Sequence, residues 1–232
     1  MTYFLDQRRD HLTELMDDPE CDLRKLENTY KSFRVINKLL SGWNTIYKLE
    51  IRPYLKQKNG HASLLDVGFG GGDIPILLSR LAKRDGFNLE ITAIEIDKRS
   101  FNYINKINTP DNITFRKTSS SHLVDEKKKF DFVISNHLIH HLDKASFSSL
   151  CTDAEKLSKF KVFFNDIERS DIGYLSFYFI SSLLFRDSFI SHDGLISIKR
   201  SYTFKELQQK APLGWKVTRV FPYRLILSYE KQ

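Results

Sequence analysis

Apolar positions along this chain follow two rhythms. Leu23, Leu26, Tyr30, Phe33, Ile36, Asn37 and Leu40 recur at i, i+3 and i+4, which predicts a helix, and Ser41-Gly42 interrupts it. Trp43, Ile46, Tyr47, Leu49 and Ile51 carry an apolar face on to Pro53, so residues 1–58 read as a helical extension ahead of the first strand. From there, short apolar runs alternate with amphipathic stretches. Strands are expected at 62–67, 89–95, 112–116, 130–135 and 160–165. Helices are expected at 73–84 (closed by Gly86), about 98–107 (with Asp97 as N-cap) and 144–157. Alternating strand–helix units give an α/β fold, with a doubly wound parallel sheet and helices on both faces. Thr203-Phe-Lys-Glu206 is a capping-box pattern that opens a short helix, and two further strands are expected near 215–221 and 224–229.

The join between the first strand and the first core helix carries the chemistry. Leu64-Leu-Asp-Val-Gly-Phe-Gly-Gly-Gly-Asp-Ile-Pro75 places glycines at 68, 70, 71 and 72. Gly68 can take a positive φ, and Gly70 and Gly72 carry no Cβ to hold a ligand away from the backbone. Such a turn either simply joins a buried strand to a helix or cradles a nucleotide-like ligand. Glu95 ends the second strand roughly 20 residues past the last glycine, where a carboxylate can take both hydroxyls of a ribose. A dinucleotide loop prefers G-x-G-x-x-G, with a pyrophosphate on the helix N-terminus. Here Asp73 occupies the third-glycine position. A carboxylate there repels a pyrophosphate and suits a ligand that carries a cation and an ammonium group.

These residues resemble those of the class I S-adenosylmethionine-dependent methyltransferases, over residues from about 60 to the C-terminus. Asp66, Gly68, Gly70 and Gly72 match the first motif, D-x-G-x-G-x-G, and Glu95 matches the acid closing the second strand. Phe130-Asp-Phe-Val-Ile-Ser-Asn-His-Leu-Ile-His-His-Leu142 is similar to the fourth-strand motif, as found in the menaquinone and ubiquinone methyltransferase group. The resemblance implies a Rossmann-like, mainly parallel seven-stranded sheet whose last strands form an antiparallel end. It implies S-adenosyl-L-methionine as cofactor, held by Asp66, Gly68, Phe69, Gly70, Gly72, Asp73, Glu95, Ile96, Ser119, Ser120 and Asn136. One motif departs from the pattern. Where the family commonly has G-D-A after the third strand, this chain has Thr118-Ser-Ser-Ser121. Ser119 thus takes the place of the Asp that bonds the adenine amino group, a hydroxyl in place of a carboxylate, and Leu123 is a candidate to cover the ring.

Composition narrows the partners. With 232 residues and 41% hydrophobic content, the chain can bury a full core. Two cysteines, Cys21 and Cys151, stand without CxxC or metal spacing, which suits a reducing cytoplasm. The N-terminal residues lack the charged-then-apolar order of a secretory signal, and no apolar run approaches the roughly 18 residues of a membrane span. The net charge of +7 is scattered among acids, as in Asp125-Glu-Lys-Lys-Lys129, and aromatics do not alternate with basic residues. After the fourth strand the chain has Asn136-His-Leu-Ile139 rather than the (D/N)-P-P-(Y/F) of nucleobase amino-methyltransferases. A small-molecule acceptor is expected, with no nucleic acid and at most transient contact with a lipid-like acceptor, in a cytoplasmic monomer or homodimer.

The acceptor side lies between Asp166 and Arg200. Asn165-Asp-Ile-Glu-Arg-Ser170 closes the fifth strand, and an insertion over about 171–200 begins with Tyr174, Phe177, Tyr178 and Phe179. This is either a buried helix with an ordinary core face or a lid over an apolar pocket; residues 1–58 either pack on the sheet or complete that pocket. Ser191 to Tyr202 reads as a polar turn before an alternating stretch. Substrate-contacting candidates are Asp166, Arg169, Tyr174, Tyr178 and His192. A phenol oxygen must lose its proton, and histidine is poised for that near neutral pH. His192, flanked by Asp193, is the first candidate, followed by His137 and His140. Neighbouring His140 and His141 diverge by about 100° on a helix and have no third ligand at suitable spacing, so no metal is expected. The expected reaction is O-methylation of a phenolic or quinol-like acceptor. C-methylation of a quinone precursor is the alternative, and a regulatory protein that binds the cofactor without turnover is a third reading of a different class.

Overall fold

The computed structural model describes residues 4–185 and 187–231. Seven strands form one sheet: β1 (His61–Val67), β2 (Asn88–Glu95), β3 (Ile113–Lys117), β4 (Phe130–Asn136), β5 (Ser158–Ile167), β6 (Lys216–Val220) and β7 (Arg224–Glu230), in the order β3-β2-β1-β4-β5-β7-β6. β1 to β5 are mutually parallel, and β7 runs antiparallel to both β5 and β6. Strand order reverses beside β1, between β2 and β4, so a crevice opens at the carboxyl ends of β1 and β4.

The helices, in chain order, are α1 (Leu23–Leu40), α2 (Trp43–Ile46), α3 (Arg52–Gln57), α4 (Asp73–Arg84), α5 (Lys98–Ile104), α6 (Ser120–Asp125), α7 (Lys144–Leu157), α8 (Asp171–Leu184), α9 (Ile190–Arg200) and α10 (Phe204–Lys210). A wide π-turn at Tyr47–Ile51 joins α2 to α3, just ahead of Pro53, which has no N–H to give. Local chemistry sets many of the boundaries. Asp22, Asp97 and Asp143 cap α1, α5 and α7 through their carboxylates, and Thr203 and Glu206 complete the capping box of α10. Gly86, at φ 78°, ends α4.

Strand alternation sends Leu64, Ile91, Ala93, Phe132 and Ile134 to one face, where they meet Ile76, Leu78 and Leu81 of α4 and Trp43, Tyr47 and Ile51 of the extension. Leu65, Val67, Val133 and Phe164 face the other way, onto Phe147, Leu150 and Leu157 of α7 and Leu207 of α10. Each such side chain stabilises the fold by about 1.5–3 kcal/mol on burial.

Three local readings change. Residues 4–22, ahead of α1, are largely irregular, with one 3-10 turn at Leu15–Asp17. Their backbone is held by tertiary bonds instead: Leu5 N donates to Asp171 (3.0 Å), and Leu15 N and Met16 N donate to Asp193 (2.8 and 2.9 Å). The stretch expected as a turn and an alternating segment is helix α9, because Ile190, Asp193, Ser197 and Ile198 are its buried positions, at helical spacing. Gly194 within it lets the Phe177 ring approach to where a Cβ would lie only 2.4 Å from it, locking α8 against α9. Finally, α6 was not anticipated; Ser119 caps it by accepting from His122 N.

Candidate active site

One cavity of about 890 Å³ opens at the carboxyl ends of β1, β2 and β4 and runs beneath α1, α8 and α9. The glycine loop forms one end. Gly68, Gly70 and Gly72 all have positive φ (78°, 51° and 74°), which explains glycine at those points. Their surroundings differ. A Cβ on Gly70 would meet nothing within 4 Å, whereas one on Gly72 would lie 2.4 Å from the Ile104 side chain. Gly70 therefore faces open space and Gly72 faces the core. Phe69 is buried edge-on against Phe115, with centroids 5.0 Å apart.

Three carboxylates converge on this end. Glu95 accepts from Gly70 N (3.2 Å), Ile96 N (2.8 Å) and Asp97 N (3.1 Å), tying the glycine loop to the end of β2. Asp73 accepts from Asn37 Nδ2 at 2.9 Å, and burial still pushes its carboxyl up to about 6. Asp66 is buried, and its Oδ1 has no hydrogen-bond partner among the described residues. Burial, with the Asp73 and Glu95 charges behind it, lifts the Asp66 carboxyl well above the usual range. At the end of β4, Asn136 accepts from Trp43 Nε1 at 3.0 Å. This corner has a deficit of positive charge and matches a ligand carrying a cation and an ammonium group.

Of the residues expected to hold the cofactor, Asp66, Gly68, Phe69, Gly70, Asp73, Glu95, Ile96 and Asn136 line this cavity, together with Gly71 and Tyr30, which were not anticipated. Gly72, Ser119 and Ser120 do not. The Ser119 hydroxyl caps α6, and Ser120 Oγ donates to Asp153 at 2.7 Å. Leu123 is fully buried against the sheet and does not line the cavity.

The far end of the cavity holds a second polar group. His140 Nδ1 meets Asp166 Oδ1 at 2.6 Å, and Asp166 also accepts from His140 N at 3.0 Å. Glu14 Oε1 lies 3.4 Å from His140 Nε2 and 3.7 Å from His141 Nε2, and it accepts from Ser197 Oγ at 2.7 Å. Burial disfavours a charged His140, but Asp166 and Glu14 overcome it and hold the imidazole at about 9. In turn, the His140 charge overcomes burial at Asp166 and keeps that carboxyl well below its usual range. His137 also lines the cavity. Burial and the Arg224 charge push its imidazole well below the usual histidine range, and Arg224 donates to its Nε2. Glu14, Asp17 and Arg224 escaped the sequence reading; no local motif marks them.

The remaining acceptor-side candidates fall outside the cavity wall. Gly173, Ser176, Phe177 and Ile180 of α8 line it, at helical spacing, which turns Tyr174 and Tyr178 onto neighbouring stripes; Tyr178 is 51% exposed. Arg169 is buried among backbone carbonyls. His192 has a side chain 53% exposed and bonds Asp193 at 2.9 Å, outside the wall. His192→Ala is therefore expected to change kcat by less than about threefold, whereas loss of a general base costs about 10²–10⁴; steady-state kinetics on the variant would show which.

Residues 64–159 match the family model described as a methyltransferase domain. That segment is a methyltransferase domain. Comparison with curated proteins gives no match to its sequence. Among solved structures, this chain is similar to the magnesium protoporphyrin IX methyltransferase of Synechocystis PCC 6803 with bound S-adenosylhomocysteine. Identity is 14% and TM-score 0.51, over 90% of this chain and 98% of that one. It is also similar to the plantazolicin methyltransferase BpumL in complex with S-adenosylhomocysteine, at 14% identity and TM-score 0.56, over 90% and 95% of the two chains. A putative O-methyltransferase from Nostoc punctiforme PCC 73102 matches at 14% identity and TM-score 0.55, over 87% of this chain and 60% of that one. Such identities establish the fold alone, a Rossmann-like methyltransferase fold.

Proposed function

We propose that this methyltransferase transfers the methyl group to the oxygen of a small, largely apolar phenolic or quinol-like acceptor. The observation that carries the reading is the composition of this cavity. Between the carboxylate end and the Glu14–His140–His141 end, its walls are apolar side chains such as Phe33, Ile36, Phe177, Ile180 and Tyr223. A flat, apolar molecule with one hydroxyl fits such a space, its ring on those walls and its oxygen at the polar end. The exposed apolar side chains of α8, including Ile172, Leu175 and Phe179, give a lipid-like acceptor a surface to approach along.

At the other end, Asp66 and Asp73 would face the ammonium group of S-adenosylmethionine, and Glu95 its ribose. Gly68 and Gly70 would admit it against bare backbone, and Asn136, Phe69 and Ile96 would flank it. When bound, its sulfonium supplies an electrophilic methyl group, so the protein's work is alignment and exclusion of water. Helix α1 and the α8–α9 pair close the cavity for that purpose. The ionised Glu14 carboxylate receives the acceptor hydroxyl. With no cation bound, His140 is protonated between Asp166 and Glu14, and His137 has its Nε2 occupied by Arg224.

The acceptor claim is tested by supplying labelled S-adenosylmethionine with phenols, quinols, thiols and amines. The expected product is the methyl ether of a phenol, identified by fragmentation. Transfer confined to amines or RNA, or to ring carbon, overturns it.

A pH dependence follows from the carboxylate corner. An ionised Asp73 is the form that attracts a cationic ligand, and its carboxyl titrates at about 6. Affinity for S-adenosylmethionine is thus expected to rise as pH goes from 5 to 7.5, approaching tenfold per unit below the Asp73 midpoint. Because both Asp66 and Asp73 are raised, the ligand-free protein loses stability as pH climbs from the ordinary carboxylate range through about 6, and ligand restores it. Calorimetric titration across this range checks the sign; a flat affinity contradicts it.

A further inference from the structure

We infer that Glu14, His140 and His141 form a binding site for a first-row divalent cation of the zinc type, open to the cavity. The fold supplies the third ligand that sequence spacing lacks. One ligand atom from each residue lies within 4.8 Å of the others, and both imidazole Nε2 atoms approach Glu14 Oε1, at 3.4 and 3.7 Å. Ligand atoms around a tetrahedral zinc with bonds of roughly 2.0–2.1 Å stand about 3.4 Å apart, so two of the three separations already suit the ion. The third separation, between the two imidazole nitrogens, lies within 4.8 Å, and binding of the ion would draw them together.

The surroundings point the same way. His140 is 2% exposed, and its Nε2 has no hydrogen-bond partner among the described residues, so a buried ring nitrogen aims at the cluster unsatisfied. Each ring has its other nitrogen beside a carboxylate: His140 Nδ1 with Asp166 at 2.6 Å, and His141 Nδ1 with Asp17 at 3.4 Å. Carboxylates behind metal-bound histidines orient the ring and raise its basicity. Ser197 Oγ orients Glu14, and Arg200 at 3.3 Å balances Asp17, so these outer groups are themselves held. Two imidazoles and one carboxylate are a zinc ligand set that leaves a fourth position. All three residues line the cavity, so that position faces the space assigned to the acceptor. Binding exchanges the proton on His140 Nε2 for the ion and releases that proton to solvent. The site rests on ligand placement alone and stands whether or not the acceptor is a phenol.

The full-length protein, stripped with a chelator, is titrated with Zn²⁺ against a chromophoric competitor. One equivalent is expected to bind, weakened at least about 100-fold in His141→Ala and about 10–100-fold in Asp166→Asn. His122→Ala, on the exposed part of α6, serves as control and is expected to leave it unchanged. Circular dichroism reports whether each variant folds. Because Asp166 is buried, Co²⁺ added to the wild-type protein gives an independent reading: intense visible bands of a four- or five-coordinate ion support the site. Absence of one-equivalent binding, a Co²⁺ spectrum like that of the aqueous ion, or unchanged affinity in a folded His141→Ala overturns it. Methyl transfer to phenols is scored separately, so failure of one claim leaves the other standing.

Discussion

Gly70→Arg is expected to leave a folded protein whose affinity for S-adenosylhomocysteine has fallen at least about 100-fold. The backbone at Gly70 has φ 51°, so any side chain there costs about 1–2 kcal/mol of stability, which a domain of this size tolerates. No atom lies within 4 Å of the Cβ position, so the arginine extends into the cavity rather than against the core. It then occupies the space of the ligand and places a cation among Asp66, Asp73 and Glu95, the charge the ligand would have supplied. Gly72 offers no such clean probe, because a Cβ there strikes Ile104 and the loss of folding would obscure the loss of binding. Calorimetry on the variant, with a thermal melt as the folding check, decides the matter. Wild-type affinity in a folded Gly70→Arg would mean that the ligand sits elsewhere.

Arg169→Ala is expected to destabilise the protein by about 3–5 kcal/mol, the cost of breaking a buried charged network, and to lower Tm by roughly 10 °C. The guanidinium is fully buried. It donates to Leu5 O (2.9 Å), Ser201 O (2.8 Å), Asp6 O (3.2 Å) and Glu206 Oε1 (2.6 Å), so it joins the irregular N-terminal segment to the end of α9 and the start of α10. Its loss leaves three carbonyls and a carboxylate without their donor. The sequence motif had suggested contact with the acceptor. A residue in that role would raise KM and spare stability; the structure predicts the opposite split, read by denaturant melts beside kinetics. Arg169→Lys keeps the charge but not the fork, and is expected to fall between the two.

The donor half was legible because its chemistry is local. A strand, a glycine turn and a helix are neighbours in sequence, so Asp66, Gly70 and Asp73 meet in one cavity wherever the chain goes next. Glu95 and Asn136 follow from the parallel sheet, which brings strand ends together in a fixed order. The acceptor half depends on tertiary placement. Glu14 reaches His140 and His141 only because the segment before α1 folds back across α9, held by Asp193, an acid inside a helix that the sequence presented as a turn. Helix α8 is apolar around most of its circumference, so its pattern could not say which stripe faces inward. Helix α9 made the choice instead: Phe177 packs over Gly194, and that contact turns Tyr174 and Tyr178 away. His192 looked poised beside Asp193, yet Asp193 is spent on the backbone of Leu15 and Met16, and the imidazole points toward solvent.

The most direct measurement is a crystal structure of the protein with S-adenosylhomocysteine. The ribose hydroxyls are expected on Glu95, the ammonium group beside Asp66 and Asp73, and the sulfur facing along the cavity toward Glu14, His140 and His141. Ligand bound outside this cavity, or with its sulfur turned away from that cluster, would contradict this placement.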